Sequence, residues 1–147
     1  RISADWKDLS QDSKKRYITQ FWRNMASNTN RSIQSIMDLV QERIDYSNKH
    51  FGHFKKGWTS DMGRIYIRNG APDDIQRETS SDESRFVRKD YQIWKYSTGN
   101  KPVYLFIDIQ MNGNYKLIYV VNDDMESSNP DWMRYVGYDF DTSKLDN

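Results

Sequence analysis

The chain contains no cysteine. Disulfides, thiolate catalysis and zinc–thiolate sites are therefore excluded. No apolar run approaches the roughly 18 residues of a membrane-spanning helix, and no secretory signal peptide stands in the piece shown. A dominant charge is also missing: 22 Lys and Arg face 21 Asp and Glu, for a formal net charge of +1. A protein dedicated to nucleic acid or a membrane surface carries a basic excess, so nucleic acid is not an expected partner. The chain opens on Arg1 rather than Met, as expected of a processed or excised piece. Proline and glycine are scarce, at three and seven residues, so each can be read as punctuation.

What is present is aromatic: ten Tyr, six Phe and five Trp in 147 residues. The length suits one domain with a real core, and with few aliphatics that core must be built from rings whose polar tips find partners. Helix signals come first. Ser10 is an N-cap candidate with Asp12 in the first turn, and Ile18, Phe21, Trp22 and Met25 repeat at helical spacing. A helix is expected over about 11–26. Asn30 is the expected next N-cap. Ile33, Ile36, Met37, Val40, Ile44, Ser47 and Phe51 hold one stripe, with Gly52 as a left-handed C′ residue. That predicts a second helix over about 31–51, antiparallel to the first.

The stretch from Gly57 to Ile75 organises the rest. Gly57 starts a turn, Trp58 is an anchor, and Thr59 or Ser60 caps a short helix with Asp61 in its first turn. Gly70 and Pro72 form a stop. Residues 64–68 also alternate with period two, so a strand is the competing reading. Residues 76–90 are polar and predict a loop. Three strands follow, over about 91–97, 103–109 and 115–121. The middle one is apolar on both faces, and Asn112-Gly113 supplies a hairpin signal. Asn129-Pro130-Asp131 opens a short helical turn that Gly137 ends. The aromatic tail 122–147 is expected to pack on the core or on a partner.

The fold class predicted is α+β: two N-terminal amphipathic helices packed on a three- to four-stranded antiparallel meander, with a short C-terminal helical turn. Residues 1–147 are expected to form a single domain with its core at about 10–121.

Candidate chemistry is sparse. Asp61 and Arg64 form an i, i+3 pair if their segment is helical, and Asp73 follows a turn proline. No nucleophile and base stand in a recognisable pattern, and the glycines lack the Lys-Ser/Thr of a phosphate loop. His50 and His53 flank a helix end without a third ligand. Neither a metal nor a cofactor is expected.

Several blocks taken together resemble the GWxTD-domain family. They are Tyr17 to Arg23, Glu42 to Phe51, Gly57 to Ile67, Asn69 to Ile75, Ile93 to Tyr96 and Phe106 to Asp108. The resemblance covers roughly residues 16–120. It implies a bacterial protein of the Bacteroidetes type, exported or associated with the cell envelope and located in the periplasm or envelope. The family brings no accepted activity, hence no catalytic residues. The expected function is a non-enzymatic module that binds another protein, with Trp58, Asp61, Arg64, Asp73, Trp132 and Tyr135 as candidate binding residues. The alternative is a carbohydrate-binding or hydrolase domain using the corner of Trp58, Asp61, Arg64 and Asp73. Burial of Trp58 and Trp94 would remove the rings on which a sugar could stack. Single-strand nucleic-acid binding, through sheet aromatics with Lys55, Lys56, Arg64 and Arg68, ranks last.

Overall fold

The computed structural model describes residues 6–29, 32–52, 56–80 and 88–147. The protein is α+β. Three helices are α1 (Gln11–Thr29), α2 (Ile33–Phe51) and α3 (Asp61–Asn69). Four strands follow: β1 (Asp74–Thr79), β2 (Asp90–Lys95), β3 (Val103–Ile107) and β4 (Lys116–Val121). A five-residue helix, α4 (Trp132–Val136), comes last. The chain divides into a helical unit, Asp5–Gly70, and a sheet unit, Ala71–Asn147.

In the helical unit, local hydrogen bonding sets the helix starts. Ser10 Oγ accepts from the Ser13 amide at 3.1 Å and begins α1. Lys14, Ile18 and Trp22, spaced by four, form its buried stripe. Asn30 lies outside the described residues; the cap of α2 is Ser32, whose Oγ accepts from the Ser35 amide. The expected α2 stripe divides. Ile36, Val40 and Ser47 are buried, whereas Ile33 and Met37 stay 71% and 48% exposed. Gly52 does not take the left-handed conformation expected of it. Its φ and ψ are −90° and 120°, so the residue that ends α2 is itself extended rather than left-handed. Residues 64–68 are helical, and six of the nine α3 residues are buried, Arg64 and Arg68 among them.

The sheet is a simple antiparallel meander in the order β1-β2-β3-β4. The polar loop expected over 76–90 is in part β1. Only Ile75 within β1 is apolar, because the strand lies at the sheet edge, so no apolar alternation marks it. Its pairing continues past the strand, where Ser80 and Lys89 exchange backbone and hydroxyl hydrogen bonds. Residues 81–87 of that expected loop lie outside the described residues. All five residues of β3 are buried, as its two apolar faces predict. In the hairpin after it, the Asp108 carboxylate accepts from the Asn112 and Gly113 amides at 3.0 and 2.8 Å. Gly113 takes φ 81° there.

One face of the sheet builds a core from Tyr91, Ile93, Val103, Leu105, Ile107 and Ile118. The tail returns to that core: Val136 and Leu145 join it, and Trp132, Tyr135 and Phe140 pack against it. Asn129 donates to the Ile118 carbonyl at 2.8 Å and Ser128 Oγ accepts from the Val120 amide, which covers the outer edge of β4.

The end of the tail is clasped by charge. Lys144 Nζ donates to Glu78 at 2.9 Å and to the Tyr91 hydroxyl at 3.3 Å, and Tyr91 donates to Glu78 at 3.0 Å. The Lys144 hydrogen bond holds the Glu78 carboxyl below its ordinary range. The same bond raises Lys144, and burial raises Tyr91. The Glu78 contribution is thus present above the unfolded value near about 4.3 and is lost as pH falls through the lower folded value. The Lys144 contribution is present below its unfolded value and is lost as pH rises through the raised folded one. Both side chains are more than a third exposed, so solvent screening keeps the clasp below about 1 kcal/mol. Glu78→Gln is expected to speed amide exchange around Leu145 at neutral pH. That difference from wild type should close in acid. An equal difference at both pH values would show that Glu78 does not act through its charge.

Candidate functional site

The Gly57–Gly70 stretch is built by close backbone contact. Residues Gly57–Thr59 form a single 3₁₀ turn and α3 begins at Asp61. Ser60 joins the two. Its Oγ donates to the Gly57 carbonyl at 2.6 Å and accepts from the Gly63 amide at 3.0 Å. A Cβ on Gly57 would overlap the Ser47 carbonyl oxygen on α2 and stand 2.6 Å from its carbon. A Cβ on Gly63 would overlap the Gly57 carbonyl oxygen and stand 3.0 Å from the Trp58 Cα. Two glycines therefore permit a three-layer backbone approach of α2, the turn and α3. Gly70 ends α3 at φ 79° and ψ −164°, a conformation essentially reserved for glycine, and its amide donates to the Tyr66 carbonyl.

Side chains lock this frame. The Trp58 amide donates to Asn48 Oδ1 at 3.0 Å, and the Trp58 ring is 5% exposed. Arg64 is 1% exposed; it pairs with Asp61 at 3.0 Å and lies over the Trp6 ring at 5.0 Å. Trp6 is fixed by its Nε1 donating to the Thr59 carbonyl at 3.0 Å, by Lys14 over the ring, and by the edge of Tyr17. Arg68 donates to the Tyr17 hydroxyl at 3.3 Å. Asp61 occupies the first turn of α3, where a negative charge suits the helix dipole.

Of the residues singled out from sequence, Trp58, Asp61 and Arg64 are thus neighbours in one buried lock. Asp73 belongs to the sheet unit and is exposed. Its carboxylate accepts from the Ser97 amide at 2.7 Å, and that bond lowers its pKa. Trp132 stacks on Tyr119 at 4.3 Å and meets Phe140 edge-on, while Tyr135 carries the Arg134 guanidinium over its ring. Trp94 is 1% exposed. With Trp58 also buried, neither ring offers a stacking face to a sugar. Of the two histidines, His53 lies outside the described residues. No three metal-ligating side chains cluster among the described residues.

A second aromatic group was not singled out from sequence. Tyr46 and Tyr66 stack nearly parallel, 4.2 Å apart at 4°. His50 lies 4.1 Å from the outer Tyr46 ring, and Phe51 meets both tyrosines edge-on at 5.9 Å. Tyr46 is 39% exposed and His50 is exposed. Burial, then the neighbouring Tyr46, raises the Tyr66 pKa. The i, i+4 spacing of Tyr46 and His50 on α2 is the sequence signal for half of this ladder. Tyr66 joins from α3, twenty residues away, and has no such signal.

A family model for the GWxTD domain matches residues 2–137. No curated protein and no solved structure matches the chain. In Gly57-Trp58-Thr59-Ser60-Asp61, serine stands at the family's threonine place and aspartate at its aspartate place, and the Ser60 hydroxyl makes the capping bonds described above. From near its first residue to the end of α4, the chain belongs to the GWxTD-domain family.

Proposed function

We propose that the chain is a non-enzymatic interaction module of an exported or envelope-associated bacterial protein, and that it binds another protein. The observation that carries the reading is the Tyr46–Tyr66–His50–Phe51 ladder. Its rings are ordered against each other and partly open to water. Rigid, half-exposed aromatic anchors are the side chains that dominate protein interfaces, because they bring large contact area at small entropic cost. The residues of the family motif, by contrast, are engaged in backbone packing and capping. Trp132 and Tyr135, beside the 72%-exposed Tyr138 ring, offer a further aromatic contact on the sheet unit. The envelope location is supported by the family resemblance.

The test is capture from envelope fractions by the wild-type chain and by a Tyr46→Ala/His50→Ala chain of matched thermal stability. A partner should be recovered in near-stoichiometric yield by wild type. The variant should recover at least about tenfold less, the loss of one to two interface anchors. Equal recovery by both chains would remove the ladder from the interface, and no recovery by wild type would contradict the function.

A further inference from the structure

We propose that Asn112 is a latent succinimide-forming site and that Asp108 is the latch that holds it closed. The chain has two Asn-Gly pairs, Asn69-Gly70 and Asn112-Gly113. Such a pair is prone to lose ammonia within the chain, because glycine sets no Cβ in the way of its own amide nitrogen. In that reaction the Gly113 nitrogen attacks Asn112 Cγ. The N–Cγ bond forms, the Cγ–Nδ2 bond breaks, and the Gly113 amide proton leaves with Nδ2 as ammonia. Water then opens the cyclic imide at either carbonyl and leaves aspartate or isoaspartate. Nothing is oxidised or reduced, and water is the sole co-reactant. Asn112 and Gly113 are half-buried, so water reaches them.

The hairpin restrains both reacting groups. The Gly113 amide donates to Asp108 Oδ2 at 2.8 Å, and the Asn112 amide donates to Oδ1 at 3.0 Å. Asp108 is 7% exposed, so these bonds meet little competition from water. A hydrogen bond to an anionic acceptor is stronger than one to a neutral carbonyl. The attacking nitrogen must also shed its proton, and an amidate beside a carboxylate is disfavoured by like charge. The side chain is tied as well: Asn112 Oδ1 accepts from the Asn114 amide at 3.0 Å, and Nδ2 donates to Gln110 Oε1 at 3.3 Å. Ring closure therefore has to break hydrogen bonds on the nucleophile and on the leaving group. In the other pair, Gly70 is buried at the end of α3 and its amide donates to the Tyr66 carbonyl. That bond does not involve Asp108, which makes Asn69 an internal reference.

The test is peptide mapping by mass spectrometry of the full chain aged in mildly alkaline buffer, with Asn112 and Asn69 followed in the same sample. Wild type should convert Asn112 far more slowly than the same chain aged in urea. Asp108→Ala should speed conversion at Asn112 about ten- to a hundredfold, the equivalent of one charged hydrogen bond, and leave Asn69 at its wild-type rate. Asp108→Asn keeps an acceptor without the charge and should fall between the two. It also decides the outcome if Asp108→Ala unfolds and speeds both sites together. Equal conversion of Asn112 in wild type and Asp108→Asn overturns the proposal, as does wild-type conversion at the rate seen in urea. Slower conversion in either variant overturns it too, because Asp108 would then be the base that removes the Gly113 proton.

Discussion

Gly63→Ala is expected to destabilise the helical unit by more than about 3 kcal/mol, the upper end of the cost of overpacking a tight interior. The prediction is informative because helix propensity points the other way. Gly63 lies inside α3, and alanine in a helix interior is ordinarily better than glycine by about 0.5–1 kcal/mol. Packing decides the sign here. The new methyl group would overlap the Gly57 carbonyl oxygen and press on the Trp58 Cα. Both are backbone atoms, so neither can move aside by changing a rotamer. Gly57→Ala should behave alike, since its methyl meets the Ser47 carbonyl on α2. Urea unfolding followed by circular dichroism at the helix band checks both. With total stabilities commonly about 5–15 kcal/mol, either variant should lose much of its folded range. A midpoint equal to or above wild type would refute the close approach.

Arg64→Met should cost about 3 kcal/mol, the usual penalty for removing one partner of a buried ion pair. Methionine keeps much of the apolar stem while deleting the guanidinium that pairs with Asp61 and covers Trp6. Asp61 is 18% exposed and so keeps some access to water, which limits the penalty. Asp61→Asn should cost less, because the amide can still accept from Arg64. In a double-mutant cycle the two positions should show coupling on the order of 1–2 kcal/mol. Near-zero coupling would mean that the Asp61–Arg64 contact does not hold α3 in place.

These two predictions mark the line between what sequence could and could not supply. The caps at Ser10 and Ser60 and the stop at Gly70 were legible, because each is made by hydrogen bonds or dihedral angles within a few residues. The doubly buried β3 was legible because five consecutive apolar residues fit nothing else so well. The edge strand β1 was not, since its identity comes from pairing with β2 rather than from its own side chains. The pairing of Asp61 with Arg64 followed from their spacing. That Trp6 would lie under Arg64 and donate to Thr59 did not, because 53 residues separate the hydrogen-bonded pair. Gly63 shows the same limit. One glycine inside a short helical pattern has no local meaning, and its purpose is visible only when the Gly57 carbonyl is set beside it. The exposed Ile33 and Met37 break the stripe expected on α2 for a related reason, since periodicity reports which residues share a face and not what covers that face.

The central claim is that the glycine-tryptophan-aspartate stretch is a packing element whose glycines let two backbones touch. The most direct test is the nuclear Overhauser effect from the Gly63 α proton that stands where a side chain would. The close approach predicts a strong cross-peak from that proton to the Trp58 α proton, and a much weaker one from its geminal partner. Two equally weak cross-peaks would place α3 away from the turn and contradict the account.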